Sequence, residues 1–592
     1  MNTYFALTIG PIYKTMAMAR KLTRELWGAS YLFSYLMEQI VKSPELKGEL
    51  VIPSKSDDEN SKAGLYPDHL ILKLTEKGFG YAEARQVVEH EWSKIIKEIT
   101  GDEAYGIQKD FFMDYFQLYS LEISLAEKED PIKTILPLLD SMELKAAYVT
   151  EYKNDHLELF LNNINKWKKF RQVFGEHHRF PSVLEIAAQD LRYAKINYHK
   201  NNKNSSKVFD TIFNSTIRLK KENDEIFQVN QLKRLFNNPI KSILPTRPDE
   251  GFRFHHKYMA VVQADGDNLS QALHALYTMG NTMNKVPAVQ EFSKFLMDFG
   301  KKATGCITDF GGTPIYMGGD DLLFFAPVKC KGKTLFHLIR DIDKLFESEL
   351  KKTKTICSFL DDWRDSATNG NRRKEVKLSI SYGISIAYHK FPLKESIETA
   401  RKLLFEEAKM IKGKDSVSFN VLKHSGQNFG TNWKKTIKNG WIPSFDYFIK
   451  MLDNSVNDDK TENPGTDIKF LTSLQHKLEP LRPLLYRILK GRELNPEKVG
   501  FKEDFIKYLP NEGSRNVFAK HIIDNFFNEI GHKHKYRRFL EQSFEYLLHE
   551  YRELEDIYGN NTLTAQKAVD NLYATLRFIQ FINQPDHNEE EN

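Results

Sequence analysis

The chain has 592 residues, enough for about three or four domains rather than one. Hydrophobic residues make up 41% and charged residues 28%, as in an ordinary globular protein, and the net charge of +5 neither requires nor excludes a nucleic-acid partner. No apolar run approaches the roughly 20 residues that span a bilayer. Since three cysteines are also too few for a disulfide framework, we expect a soluble, cytoplasmic protein.

Residues 1–150 predict a ferredoxin-like unit with a helical insertion. A strand over 4–9 ends in Gly10 and Pro11, and a long helix runs on to Ile40. A second strand is predicted over 66–74 and a second helix over 81–99. Because the first strand ends without a carboxylate, we interpret this unit as a degenerate palm that could not bind metal as the later palm does.

Two zones outside the palms are predicted to be helical, 151–251 and 426–592, the second interrupted by a polar loop at 454–467. The cysteines are Cys306, Cys330 and Cys357, and no CxxC pair occurs. A four-cysteine zinc site is therefore excluded, and we expect no zinc.

Residues 252–425 predict a second palm. A buried strand over 257–264 runs into the acidic turn 265–268, and a helix is predicted over 269–277. The sequence Gly-Gly-Asp-Asp at 318–321 lies between two apolar runs of strand character. The order strand, acid, helix, acidic hairpin, helix, strand is typical of a polymerase-type palm. The remaining helices are predicted over 288–304, 333–350 and 393–410, and the remaining strands over 376–388 and 416–422.

The two acidic turns predict a divalent-cation site if they meet in the fold. Asp265 and Asp320 are our first choices as ligands for two Mg²⁺ or Mn²⁺ ions, with the carbonyl oxygen of Gly266 in a further position. Asp321 is either a ligand or the group that accepts the proton of the attacking hydroxyl. Asp267 lies two residues beyond Asp265, and its contact with metal stays open. A plain hairpin turn is the alternative for the Gly-Gly-Asp-Asp sequence.

Nucleotide binding is predicted beside these acids. Gly318 and Gly319 carry no Cβ, so the hairpin can turn tightly and approach a phosphate closely. Asn268 and Ser270 begin the helix after the first acidic turn, where backbone N–H groups favour phosphate oxygens.

Six sequence blocks resemble the large subunit of type III CRISPR effector complexes, B subtype. The Gly-Gly-Asp-Asp and Asp-Gly-Asp blocks match the two metal-binding positions of that family's second palm. The similarity extends from Tyr4 to about Gly426, and the blocks are 9–12, 19–32, 264–268, 318–321, 400–409 and 417–426.

The resemblance implies a subunit that binds guide RNA, target RNA and other protein subunits. On target binding, the second palm would use ATP to make a cyclic oligoadenylate, or join AMP to S-adenosylmethionine. Lys409 would bind the triphosphate, with Lys412 less firmly assigned. Many relatives carry a nuclease domain with a His-Asp doublet, and because this sequence contains no such doublet, we expect no cleavage of that type.

Two other hypotheses remain beside this one. The first is a catalytically silent scaffold that organises guide RNA and partner subunits, although a scaffold has no reason to place carboxylates at two facing turns. The second is a GTP-using cyclase of the GGDEF type, which the long helical flanks and the degenerate first palm disfavour.

Overall fold

A computed structural model shows the fold, and it describes most of the chain. Most of the predicted helical zone 151–251 lies outside the described residues. The description covers 1–191, 253–356, 377–436, 442–456, 467–490 and 533–584, apart from gaps at 20–22, 57–60, 76–78, 102–104, 128, 145–155, 175–179, 280–284 and 354–355.

The first palm is a four-stranded antiparallel sheet in the order β2-β3-β1-β4. This is the ferredoxin-like order, in which the first strand lies between the third and the fourth. The predicted strand over 66–74 is shorter in the structure, and the predicted long helix is described as two helices. The elements are β1 (Asn2–Gly10), α1 (Ile12–Met18), α2 (Thr23–Lys42), β2 (Glu49–Ile52), β3 (His69–Lys73), α3 (Tyr81–Thr100), α4 (Tyr105–Tyr115), β4 (Gln117–Leu125) and α5 (Pro131–Glu143).

In the part of the inter-palm segment that is described, three short α-helices follow the first palm: α6 (His156–Asn162), α7 (Lys168–Phe174) and α8 (Val183–Ala187). The first two help to cover α2, whose Trp27 and Tyr31 rings stack with centroids 4.4 Å apart. Trp27 is fully buried and contacts the rings of Phe170 and Phe174 on α7. The packing of these buried aromatic rings holds the described part of the inter-palm segment against the first palm.

The second palm is a six-stranded sheet in the order β12-β11-β10-β5-β7-β6. Four of its six strands, in the order β10-β5-β7-β6, repeat the strand order of the first palm. The prediction of two ferredoxin-like palms is therefore confirmed. The elements are β5 (Tyr258–Asp267), α9 (Leu269–Met279), α10 (Lys285–Phe310), β6 (Thr313–Gly318), β7 (Asp321–Pro327), β8 (Lys329–Cys330), β9 (Lys333–Thr334), α11 (Leu335–Lys352), β10 (Ser379–Tyr388), α12 (Leu393–Lys402), β11 (Ser416–Leu422) and β12 (Phe429–Lys434).

Two predictions at the end of the second palm were wrong in detail. The boundary at 425 leaves out β12, which pairs antiparallel with β11 from Phe429 to Lys434 and belongs to the palm sheet. The helix predicted over 393–410 is regular only to Lys402. Leu403–Glu407 form a π-helical turn and Ala408–Met410 a 3₁₀ turn, and such distortions change the direction in which the following side chains point.

The two palms contact each other through β6, which leads into the Gly-Gly-Asp-Asp turn and lies against α2 and the Gly64 segment of the first palm. Gly64 of the first palm bridges to Tyr316 on β6, and its carbonyl oxygen accepts a hydrogen bond of 3.0 Å from the backbone N–H of Met317. From α2, the hydroxyl of Ser30 donates to the carbonyl oxygen of Ile315 at 3.4 Å. These contacts place the end of β6 beside the first palm.

The C-terminal helices pack on the β12 edge of the second palm. Phe336 on α11 contacts the rings of Phe419, Trp433 and Phe578, so one aromatic cluster joins both regions. None of the helices in the described part of the chain is long and apolar enough to cross a membrane. Within the described residues, the C-terminal helices are α13 (Ser444–Val456), α14 (Ile468–Leu478), α15 (Arg482–Lys490), α16 (Lys533–Tyr558) and α17 (Thr562–Asn583).

A single glycine allows α12 to approach β10 closely, and its replacement is our first testable prediction. A Cβ at Gly383 would lie 2.1 Å from the carbonyl oxygen of Ala400 and 2.4 Å from the backbone nitrogen of Leu404. We expect Gly383→Ala to destabilise the protein by roughly 1–3 kcal/mol, because backbone atoms would have to move. The measurement is the thermal unfolding midpoint.

The matched control is Gly305→Ala on α10, where the added Cβ meets nothing within 4 Å. Alanine is favoured over glycine in a helix by about 1 kcal/mol, so this control should leave the midpoint unchanged or raise it. A Gly383→Ala protein that unfolds at the wild-type temperature would contradict the close packing.

Candidate active site

The two acidic turns meet at one end of the second palm sheet. β5 pairs antiparallel with β7 up to Ala264 opposite Leu322, which puts Asp265 next to Asp321 across the ladder. A Cβ built on Gly266 would lie 2.7 Å from the Cβ of Asp320 and 3.0 Å from its Oδ2 atom. The structure therefore brings together all four residues that the sequence predicts as metal ligands.

The hairpin between β6 and β7 is a two-residue turn. Gly318 pairs with Asp321, which leaves Gly319 and Asp320 as the central residues. Gly319 has a φ of +72°, a backbone conformation that residues other than glycine rarely adopt. Glycine at the first central position is the pattern of a type II′ turn. The turn directs Asp320 back toward β5, so glycine is needed here for backbone geometry.

Like charges crowd this end of the sheet. Burial raises the pKa of Asp320 to about 6, and the neighbouring charge of Asp265 adds to the shift. Burial also raises the pKa of Asp321 well above its usual value, with Asp320, Asp265 and then Asp68 of the first palm contributing. Burial raises the pKa of Asp265 as well, although Lys409 opposes the shift. A bound cation would remove this mutual repulsion.

Lys409 contacts two of the atoms that could bind metal. Its Nζ lies 2.5 Å from Oδ2 of Asp265 and donates to the carbonyl oxygen of Gly266 at 3.2 Å. The 3₁₀ turn that carries Lys409 follows the π-helical turn. The side chain of Lys409 therefore does not point where a regular helix over 393–410 would direct it. In this structure the ammonium group supplies the positive charge that the first acidic turn requires.

Asp267 is bound to β10 and serves the fold. It is completely buried, and its Oδ2 accepts hydrogen bonds from the hydroxyls of Ser379 and Ser381, each 2.8 Å, and from the backbone N–H of Asp415 at 2.9 Å. Its contact with metal was left open from the sequence, and in the structure three hydrogen bonds occupy Oδ2. Its charge still adds to burial in raising the pKa of Asp265 and of Asp320, so Asp267 lies within electrostatic reach of the site.

A buried ion network lies behind Asp267. Lys435 contacts Asp343 at 2.6 Å and Asp415 at 3.4 Å, and the Tyr382 hydroxyl donates to Asp343 at 2.9 Å. Burial raises the pKa of Asp343 to about 6, although Lys435 opposes the shift. The network ties α11, β10 and the segments flanking β11 and β12 together, so it supports the strand ends that carry the acids.

The two residues predicted at the start of α9 differ in their contacts. Asn268 has a φ of +65°, and its side-chain amide donates to the carbonyl oxygen of Lys377 at 3.0 Å. Asn268 thus holds the acidic turn against the start of β10. Ser270 is exposed in the first turn of α9, where a phosphate could reach it.

Asp68, which lies just before β3 in the first palm, was not predicted as a site residue from the sequence. Its charge acts on Asp321 across the contact between the palms. Asp68 falls inside the predicted strand 66–74, and no local pattern shows that this strand faces a carboxylate more than 250 residues further along the chain. Only the docking of the two palms reveals the proximity.

Two ferredoxin-like sheets, one with converging carboxylates at its strand ends, define a tandem-palm protein. Residues 258–418 match the family model for the second palm domain of Cas10/Cmr2, and residues 4–98 match that for the N-terminal region of the CRISPR-associated protein Cmr2. In these two segments the chain is similar to the Cas10/Cmr2 family.

One curated relative is the CRISPR system Cmr subunit Cmr2 of Pyrococcus furiosus, which is 24% identical over 283 residues. The match covers 44% of this chain and 29% of the relative, so the chain spans less than a third of that protein's length.

Similar solved structures include the following two. One is a type III-B Cmr-beta complex bound to cognate target RNA, with a TM-score of 0.45 and 12% identity over 89% of this chain and 83% of that chain. The other is a Csm1–Csm4 cassette in complex with AMPPNP, with a TM-score of 0.38 and 12% identity over 87% of this chain and 68% of that chain.

The crowding of carboxylates predicts a pH dependence of stability in the absence of metal. The pKa of Asp320 is raised from 3.8 to about 6, so between these values the folded protein keeps a proton that the unfolded chain has released. The free energy of unfolding in EDTA should therefore fall as pH rises from about 4 to about 6, by roughly 1–3 kcal/mol from this group. Saturating Mg²⁺ should reduce the fall, because it binds the ionised form.

Asp320→Asn should flatten the dependence of the urea midpoint on pH, whereas Asp309→Asn on the exposed end of α10 should leave it as in the wild type. If both variants follow the wild-type curve, Asp320 does not lie in a crowded acidic site.

Proposed function

We propose that this chain makes a nucleotide second messenger from ATP within an RNA-guided type III CRISPR complex. The observation that carries the proposal is the convergence of Asp265, Asp320 and Asp321 at one end of the second palm sheet, with Lys409 bound to the first of them. The curated relative, a subunit of a CRISPR Cmr system, supports the assembly part of the proposal.

The residues at this end of the sheet suit two divalent cations. Asp265 and Asp320 would hold Mg²⁺ or Mn²⁺, together with the carbonyl oxygen of Gly266, since carboxylate and carbonyl oxygens are the donors these ions prefer. When bound, the ions would stabilise negative charge on the attacking and leaving oxygens during phosphoryl transfer. Asp321 would be a further ligand or would accept the proton of the attacking hydroxyl.

The reaction is attack of a hydroxyl oxygen on the α-phosphorus of ATP, with pyrophosphate as the leaving group. Gly318 and Gly319 let the hairpin approach the phosphates without a side chain in between. Ser270 at the start of α9 and Lys409 would bind phosphate oxygens. Because Lys409 contacts Asp265 and Gly266 in this structure, its ammonium group would move from those oxygens to the triphosphate when metal and ATP bind.

Target RNA would activate synthesis, and the chain would assemble with guide RNA and other protein subunits in the cytoplasm. The product would be a cyclic oligoadenylate, or AMP joined to S-adenosylmethionine. Incubation of the assembled complex with ATP, Mg²⁺ and S-adenosylmethionine, with and without target RNA, followed by mass spectrometry, distinguishes the two products. Comparison of ATP with GTP in the same assay tests the GGDEF-type alternative. If no product forms under any of these conditions, the chain is a silent scaffold.

Removal of both hairpin acids should abolish synthesis. We expect Asp320→Ala combined with Asp321→Ala to lower the rate of product formation by at least about 100-fold, because the charge that positions the cations is lost. Assembly with partner subunits should remain, as measured by size-exclusion chromatography, and Asp309→Ala is the control acid. A double variant that assembles and retains activity would disprove the proposed role of the hairpin.

Removal of the Lys409 ammonium group should change metal binding and catalysis in opposite directions. Lys409→Met leaves Asp265 without its counter-charge, so Mn²⁺ should bind about 5- to 10-fold more tightly to the nucleotide-free protein. Product formation should fall at the same time, because the triphosphate loses a cationic partner. Calorimetry with Mn²⁺ and the product assay measure the two effects.

Lys412→Met is the matched control, since Lys412 is exposed three residues further along the chain. It should change neither Mn²⁺ affinity nor product formation. Weaker Mn²⁺ binding to Lys409→Met than to the wild type would show that Lys409 does not compete with metal for Asp265.

A further inference from the structure

The first palm contains its own cluster of metal-ligating groups, although its first strand ends without a carboxylate. His69 at the start of β3 faces Asp140 and Glu143, which lie three residues apart on α5. Asp68 is next to His69 in the chain, and ligand atoms of Asp68, His69 and Glu143 all lie within 4.8 Å of one another. We propose that His69, Asp140 and Glu143 bind a divalent transition-metal ion, such as Zn²⁺ or Mn²⁺, in the first palm.

The orientation of the His69 ring supports this proposal. Nδ1 of His69 lies 3.1 Å from Oδ1 of Asp68, a distance at which the ring N–H donates to the carboxylate. A histidine that binds metal through Nε2 commonly donates its other ring N–H to a carboxylate in this way. Asp68 would therefore fix the tautomer that directs the Nε2 lone pair toward α5.

The spacing around Nε2 fits a shared ion better than direct hydrogen bonds. Oδ1 of Asp140 and Oε1 of Glu143 each lie 3.6 Å from Nε2, which is longer than a normal hydrogen bond. Two ligand atoms that are each about 2.1 Å from a tetrahedral ion lie about 3.4 Å apart. The Nε2 atom is enclosed, and it makes no hydrogen bond among the described residues.

The charge balance also calls for a cation. Asp68, Asp140 and Glu143 surround a single imidazole, so the cluster remains negative even when His69 is protonated. The Thr8 hydroxyl on β1 donates to Oε1 of Glu143 and so holds this carboxylate toward His69.

The proposed site is independent of the catalytic site, although Asp68 lies close to both. The expectation of no zinc rested on the absence of cysteine ligands, and imidazole with two carboxylates is a different donor set that suits Zn²⁺ and Mn²⁺. An ion here would connect β3 to α5 beside the contact between the palms.

The test measures bound metal rather than activity. The full-length chain is loaded with Zn²⁺ in the presence of excess Mg²⁺, which occupies oxygen-only sites, then dialysed and analysed by mass spectrometry for metal content. The wild type should retain about one more Zn²⁺ per chain than His69→Gln, and the affinity of Asp140→Asn and Glu143→Gln should fall about 10-fold or more. His90→Gln, an exposed histidine on α3, is the control and should bind as the wild type does.

Equal zinc content in the wild type and His69→Gln would overturn the proposal. Asp140 is well exposed, with 67% of its side chain accessible, so Asp140→Asn cannot fail merely by disturbing the core. Zn²⁺ should also raise the unfolding temperature of the wild type but not that of Asp140→Asn. If Zn²⁺ raises the unfolding temperature of the wild type and of Asp140→Asn equally, the ion binds elsewhere and the proposal is wrong.

Discussion

The repulsion among carboxylates at one end of the second palm sheet is the constraint on which the site depends. Antiparallel pairing of β5 with β7 forces Asp265 and Asp321 to be neighbours, and the turn at Gly319 brings Asp320 against Gly266. Such a group of acids is stable only with positive charge nearby. In this structure Lys409 provides that charge at Asp265, and the ion network behind β5 keeps the strand ends in place.

The two palms share a strand order but differ in the source of their acidic groups. In the second palm, carboxylates follow β5 directly and return on the next hairpin. In the first palm, β1 ends in Gly10 and Pro11, and the acidic groups come instead from the residues before β3 and from the end of α5. The contact between Gly64 and β6 sets these two groups beside each other, which is why Asp68 influences Asp321.

Much of the second palm could be predicted because its signals are local. Apolar runs and periodicity located β5, β11 and the main helices within a few residues, and the Gly-Gly-Asp-Asp sequence marked the hairpin. Phe429–Lys434 was not predicted as a strand, because its polar, glycine-containing pattern becomes a strand only by pairing with β11. The π-helical turn before Lys409 was likewise missed, since it arises where α12 packs against Gly383.

The sequence by itself determined which residues can carry the chemistry: the acids at two turns, the glycines that shape the hairpin, and the palm order of strands and helices. These depend on residue type and on neighbours a few positions away. Only the tertiary structure decided which of the acids share a site, because side-chain direction follows from strand pairing. It turned Asp267 toward Ser379 and Ser381, placed Lys409 on Asp265, and set Asp68 of one palm against Asp321 of the other.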